Sequence, residues 1–102
     1  MLAMMAALPR EIDGVERAMT VERREVVGAC RLSVGTLRGR PLAVVRSGMG
    51  AERARHAAAV LLDRVPVSAV LSLGFAGALV EDLAAGDLVA GARLHLDGAV
   101  RA

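Results

Sequence analysis

The chain has 102 residues, 55% of them hydrophobic and 24% charged, with a formal net charge of +2. That size holds at most one modest domain, and the composition excludes both a disordered polar tail and a bundle of membrane helices. All 13 basic residues are arginines scattered among acidic ones, and Phe75 is the single aromatic, so there is neither a basic stripe nor a stacking platform for nucleic acid.

The apolar run Leu2 to Ala7 predicts a short buried strand. It lacks a basic flank, and Pro9-Arg-Glu11 follows at once, which does not fit a signal peptide. Pro9 suits the first turn of a helix whose Ile12, Val15 and Met19 share one face. Weak alternation over Ala29 to Thr36, a turn at Leu37-Arg-Gly-Arg40 and an apolar core within Pro41 to Arg46 predict a hairpin. After Ser47-Gly-Met-Gly50, an amphipathic helix places Ala54, Ala57, Ala58, Leu61, Leu62 and Val65 at helical spacing, and Pro66 ends it. Val67 to Leu73 predicts a strand covered on both faces, broken at Gly74-Phe-Ala-Gly77, and Asp87 to Ala92 predicts one more strand. The uncharged stretch Val65 to Val80 is short and interrupted by Pro66, Gly74 and Gly77, so no membrane span is expected.

Strands alternating with helices predict an α/β fold, a mixed, partly parallel central sheet flanked by helices. In such sheets ligands bind beyond the carboxyl ends of the strands, where the glycine turns at 47–50 and 74–77 fall. The lone Cys30 can form no internal disulfide, and no cysteine or histidine spacing makes a metal site. Neither a metal nor a cofactor is expected, and a reducing, cytoplasmic setting fits. His56 and His95 have no partner at triad spacing and read as surface or packed residues.

Two readings are open at each chemically interesting position. Gly50 opens a helix whose N-terminus favours negative charge, yet glycines at such turns also serve chain reversal and tight packing. Glu11 can complement the helix dipole in the first turn or act as a general base. Phe75 and Met49 can line a pocket or pack in a core, and Asp87 reads as a turn cap.

Four ordered motifs, Ala7-Leu-Pro-Arg-Glu11, Val45-Arg-Ser-Gly-Met-Gly50, Leu73-Gly-Phe-Ala-Gly-Ala-Leu79 and Gly86-Asp-Leu-Val89, resemble the start of the nucleoside phosphorylase and nucleosidase superfamily. Its branches include the methylthioadenosine/adenosylhomocysteine nucleosidases, futalosine hydrolases and hopanoid-associated nucleosidases. The resemblance spans nearly the whole chain, so residues 1–102 are expected to be the N-terminal part of one such domain. It implies cleavage of the bond between a purine-type base and ribose, by water in nucleosidases and by phosphate in phosphorylases, in a homo-oligomer with a small-molecule nucleoside as partner.

By the same resemblance, Glu11 matches the glutamate that activates water, and Met49, Gly50, Phe75, Ala76 and Gly77 match positions around the nucleoside. Phe75 stands where a small hydroxyl residue is often found. Ser72 stands where phosphorylases resemble one another in an arginine, which leans the chemistry towards water; Arg10 and Arg46 read as surface arginines, although either could reach an anion. His95-Leu-Asp-Gly98 is similar to a segment of the uridine phosphorylase branch. A phosphorylase that uses phosphate is the alternative, and a non-catalytic nucleoside-binding or oligomer-interface remnant is another.

The family's ribose-binding Met-Glu pair and the aspartate that protonates the leaving base would follow Ala102. The chain is therefore expected to be incomplete at the C-terminus and inactive or nearly so by itself. The apolar runs at 42–45 and 67–73 are expected to be uncovered on one side, which invites association.

Overall fold

The computed structural model describes residues 1–96 and 98–101; Asp97, within the uridine phosphorylase-like segment, lies outside them. The elements are β1 (Leu2–Ala6), α1 (Pro9–Ala18), β2 (Thr20–Val27), β3 (Cys30–Leu37), β4 (Arg40–Arg46), α2 (Ala51–Arg64), β5 (Ala69–Ser72), β6 (Leu94–Leu96) and β7 (Ala99–Arg101). Five strands form one sheet in the order β2-β3-β4-β1-β5, and β6 pairs with β7 in a separate hairpin. This is the expected mixed, partly parallel α/β sheet.

β1 is the parallel partner of both β4 and β5, with Met4 opposite Val44 on one side and Leu71 on the other. Both ladders occupy its backbone groups, and its side chains are all apolar. β4 lies between β1 and β3, and its alternating residues feed two cores. Ala43 and Val45 pack with Ala57, Val60 and Leu61 of α2, and Leu42 and Val44 pack with Ile12 of α1. Complete burial of Ile12 or Leu61 contributes roughly 1.5–3 kcal/mol each. The run at 42–45 is thus covered on both faces, contrary to expectation, because the two helices lie on opposite sides of it.

Pro9 opens α1, where its missing N–H is no loss. α2 ends as Val65 donates its N–H to the Leu61 carbonyl at 3.0 Å, and Pro66 cannot continue the helix. The β3–β4 hairpin turns at Arg38 and Gly39, with φ of 51° and 79°, the left-handed pair that a two-residue hairpin connection requires.

Three other expectations give way, and one strand was not expected. β2 does not stand out in the sequence because Glu22, Arg23 and Arg24 are exposed on an outer strand, where charge protects a free edge. β5 is exposed at every position, so it is not a strand covered on both faces; neither helix reaches over it. Residues 87–92 form no strand, having no ladder partner among the described residues. Leu62 is 65% exposed, because the face of α2 that meets the sheet is narrower than the apolar stripe.

β2 carries an irregularity between Val21 and Arg23, opposite Gly35 and Val34. A Cβ on Gly35 would stand 2.0 Å from the Thr20 carbonyl oxygen, a backbone atom that moves only if the ladder does. Gly35→Ala should therefore destabilise the chain by about 1–3 kcal/mol, read from the midpoint of urea unfolding.

Candidate active site

The parallel pairing does not stop with the strands. Ser47 donates its N–H to the Ala6 carbonyl at 2.9 Å, Gly48 to Ala7 at 3.0 Å and Leu73 to Met5 at 2.9 Å. These bonds bring the chain leaving β1, the turn after β4 and the loop after β5 to one end of the sheet. That end is where the strand order reverses around β1, the usual place for a ligand in an open α/β sheet.

Glu11 occupies the third position of α1 at this junction and is half-buried. Its Oε1 accepts the Leu8 N–H at 2.9 Å, as in a capping box, although Leu8 has no side-chain oxygen to reciprocate. Its Oε2 accepts the Phe75 N–H at 3.1 Å from across the cleft. These bonds, Leu8 first and Phe75 second, hold the carboxyl below its ordinary value, against a smaller opposing effect of burial. Each favours the charged form, so near neutral pH Glu11 is a carboxylate able to accept a proton.

Two cavities meet at this carboxylate. One, of about 200 Å³, is lined by Ala7, Glu11, Gly48, Gly50 and Ser72 among others. The other, of about 460 Å³, is lined by Glu11, Gly74, Phe75, Ala76 and Asp87 among others. A further hollow of about 340 Å³ among residues 76–89 has Asp87 as its titratable group. Asp87 is committed there, its Oδ2 accepting the Ala84 N–H at 2.9 Å, in keeping with its reading as a turn cap.

Backbone shape explains the glycines. Gly50 has φ of 101° at the N-terminus of α2, a conformation that side chains disfavour. Gly74 answers a different demand, since a Cβ there would stand 3.0 Å from Glu11 Oε2. A side chain there would press on the carboxylate, and glycine lets the loop after β5 close on Glu11 without displacing it.

A sequence profile described as the phosphorylase superfamily matches residues 2–102. The chain belongs to the phosphorylase superfamily. A 5′-methylthioadenosine/S-adenosylhomocysteine nucleosidase of a Shewanella strain is 32% identical over 88 residues, covering 86% of this chain and 38% of that enzyme. The nucleosidase of the same name from Neisseria meningitidis, solved in complex with methylthio-immucillin-A, superposes with a TM-score of 0.76 at 27% identity, over 84% of this chain and 37% of that one. The enzyme from S. pneumoniae, solved with a transition-state inhibitor, gives a TM-score of 0.74 at 29% identity over the same shares. This chain thus spans somewhat more than a third of the length of these superfamily relatives.

Of the residues that the superfamily resemblance singles out, Glu11, Gly50, Phe75 and Ala76 line the adjoining cavities. Met49 does not join them; it stands 66% exposed on the turn. Gly77 lines the hollow that lacks Glu11. The Phe75 ring is 71% exposed, so it is not core packing, and its backbone N–H makes the polar contact.

Arg46 is not a surface arginine: its side chain is 19% exposed and pairs with Glu16 and Asp13. Arg53 of α2 lays its side chain over Gly48, with Cδ 2.9 Å from where a Cβ would stand. Nothing in its helical spacing marks that contact. Among the described residues no group of His, Cys, Asp and Glu could hold a metal ion, and no helix is long and apolar enough to cross a membrane.

Because folding lowers the Glu11 proton affinity, its stabilising effect is fully present above the unfolded value of about 4.3 and is lost as pH falls through the lower folded value. Glu11→Gln should therefore lower the melting temperature at neutral pH, with the difference from the parent chain shrinking on the acid side, as read from melts across a pH series.

Proposed function

We propose that this chain forms the water-activating part of a nucleosidase site, with a purine-type nucleoside as substrate. The observation that carries the reading is the ionised Glu11 carboxylate, placed between two cavities at the carboxyl ends of parallel strands. Nucleosidase relatives covering most of the chain support it.

In this reading a water beside Glu11 attacks the anomeric carbon as the bond to the base breaks. The water oxygen bonds to carbon, its proton passes to Glu11, and the bond pair leaves with the base. Glu11 also stabilises the positive charge that builds on the sugar. Gly50, Phe75 and Ala76 line the nucleoside, with Met49 and Gly77 outside the two cavities that meet at Glu11. Protonation of the leaving base is assigned to no residue of this chain. The reading includes no cofactor, a homo-oligomeric assembly and a cytoplasmic setting.

Arg53 favours a second reading, a phosphorylase. Its guanidinium lies over the Gly48 turn beside the N-terminus of α2, and a cation with free helix N–H groups suits phosphate. Against this, Arg46 is committed to carboxylates and position 72 is serine.

In the polypeptide that carries this sequence, Glu11→Gln should lower adenine release from methylthioadenosine by about 100-fold or more. Release at the parent rate would remove Glu11 from the mechanism. A phosphate titration separates the nucleophiles: release independent of phosphate supports water, and release that requires phosphate supports the second reading.

A further inference from the structure

Helix α1 carries Glu11 but is thinly anchored. It has 10 residues, with Gly14 at its middle, and its buried residues are Ile12 and Glu16. One of these is a carboxylate, 6% exposed. Ile12 packs with Val15 and Met19 in one apolar core, and what Glu16 adds to the attachment depends on what meets it.

Arg46 meets it, with Nε 2.6 Å from Glu16 Oε1 and Nη2 3.0 Å from Asp13 Oδ1. Two different nitrogens of one planar fork thus grip residues on successive turns of the helix, a geometry that lysine cannot reproduce. Among the described residues Glu16 Oε2 is buried without a partner, and Glu16 Oε1 is held by Arg46. The same arginine ends β4, and the next residue, the buried Ser47, is fixed to the Ala6 carbonyl.

We propose that Arg46 is a positioning residue for Glu11: by gripping Glu16 and Asp13 it fixes α1 against the carboxyl end of β4, and so sets how Glu11 meets the loop after β5. Glu11 reaches the Phe75 N–H from α1, whereas Phe75 follows β5, and the sheet relates β4 to β5 through β1. A helix that rocks on Ile12 moves Glu11 relative to Phe75, and the Arg46 grip lies on the same helix roughly half a turn to one and a half turns further on. The catalytic consequence rests on the nucleosidase reading; the geometric consequence does not.

The test uses Arg46→Met/Glu16→Met, which removes the buried pair without stranding a charge, and Arg46→Lys, which keeps the charge and loses the fork. In each, the Glu11 carboxyl is titrated by carbon NMR and amide exchange is followed at Phe75. The expected result is a Glu11 titration moved up towards the ordinary carboxylate range and Phe75 exchange faster on the order of 10-fold, with the lysine variant between the parent and the double variant. A purely structural role predicts faster exchange throughout the sheet with the Glu11 titration unmoved, and that result, or no change at either group, overturns the proposal. In the polypeptide that carries the sequence, turnover of methylthioadenosine should fall on the order of 10- to 100-fold with KM little changed. A moved titration together with unaltered base release in Glu11→Gln would sink the nucleosidase reading and leave the positioning role standing.

Discussion

β1 is bonded on both edges to parallel strands, with Met4 and Met5 each facing a partner in β4 and another in β5. Parallel neighbours need a crossover, and α2 supplies it by carrying the chain from β4 over β1 to β5. Because parallel strands end at the same side of the sheet, three chain segments distant in sequence must emerge together. The bonds from Ser47, Gly48 and Leu73 to carbonyls of β1 and the residue beyond it prolong that agreement past the strands. Any slip in these ladders would move the glycine turns away from Glu11, so the geometry of the candidate site is inherited from the register of one five-residue strand.

Within that frame Glu11 is held from two directions, by a local N–H of its own helix and by a distant one from the loop after β5. The two bonds order the carboxylate and make it a weaker base. For proton abstraction these effects oppose each other: a lower proton affinity reduces the driving force, while a fixed orientation removes an entropic cost of reaching the reactive geometry. Displacement of the Phe75 N–H by a group that does not donate to the carboxylate would raise the proton affinity, whereas a water or sugar hydroxyl donating in its place would preserve the charged form. The exposure of Phe75 makes that displacement sterically open.

Much of this was legible in the residues, and the failures have physical reasons. The weak alternation in β3, the apolar core of β4, the helical spacing before Pro66 and the Arg38-Gly39 turn are local signals, and the structure follows them. β2 is different, because its outer position rewards charge and hides the pattern of a strand. For β5 the apolar run suggests burial, yet among the described residues the strand has only β1 beside it and is exposed at all of its positions. The glycine turns pointed to the correct end of the sheet, whereas the contacts that define the site did not show. The Arg46 grip joins residues 30 and 33 positions apart, and the Phe75 contact with Glu11 spans 64. Side-chain chemistry alone does not announce pairs at such separations, and so Arg46 reads as a surface residue until the fold brings α1 beside it.

The site thus joins two unequal halves. Glu11, the Ser47 turn and the start of α2 stand on the two packed cores, but the loop that completes the hold on Glu11 follows the least covered strand of the sheet. Segments with few buried apolar contacts open at low free energy, so the Phe75 bond is the weak link of the arrangement. A ligand lying in both cavities would touch Glu11 and the 74–76 loop together, and it would bind best when the two are already in register. Linkage then requires the converse: whatever orders the loop, whether a nucleoside or protein surface covering Val70 and Leu71, favours the geometry of Glu11 and is favoured by it. Coverage of β5 and organisation of the Glu11 carboxylate are for this reason one equilibrium.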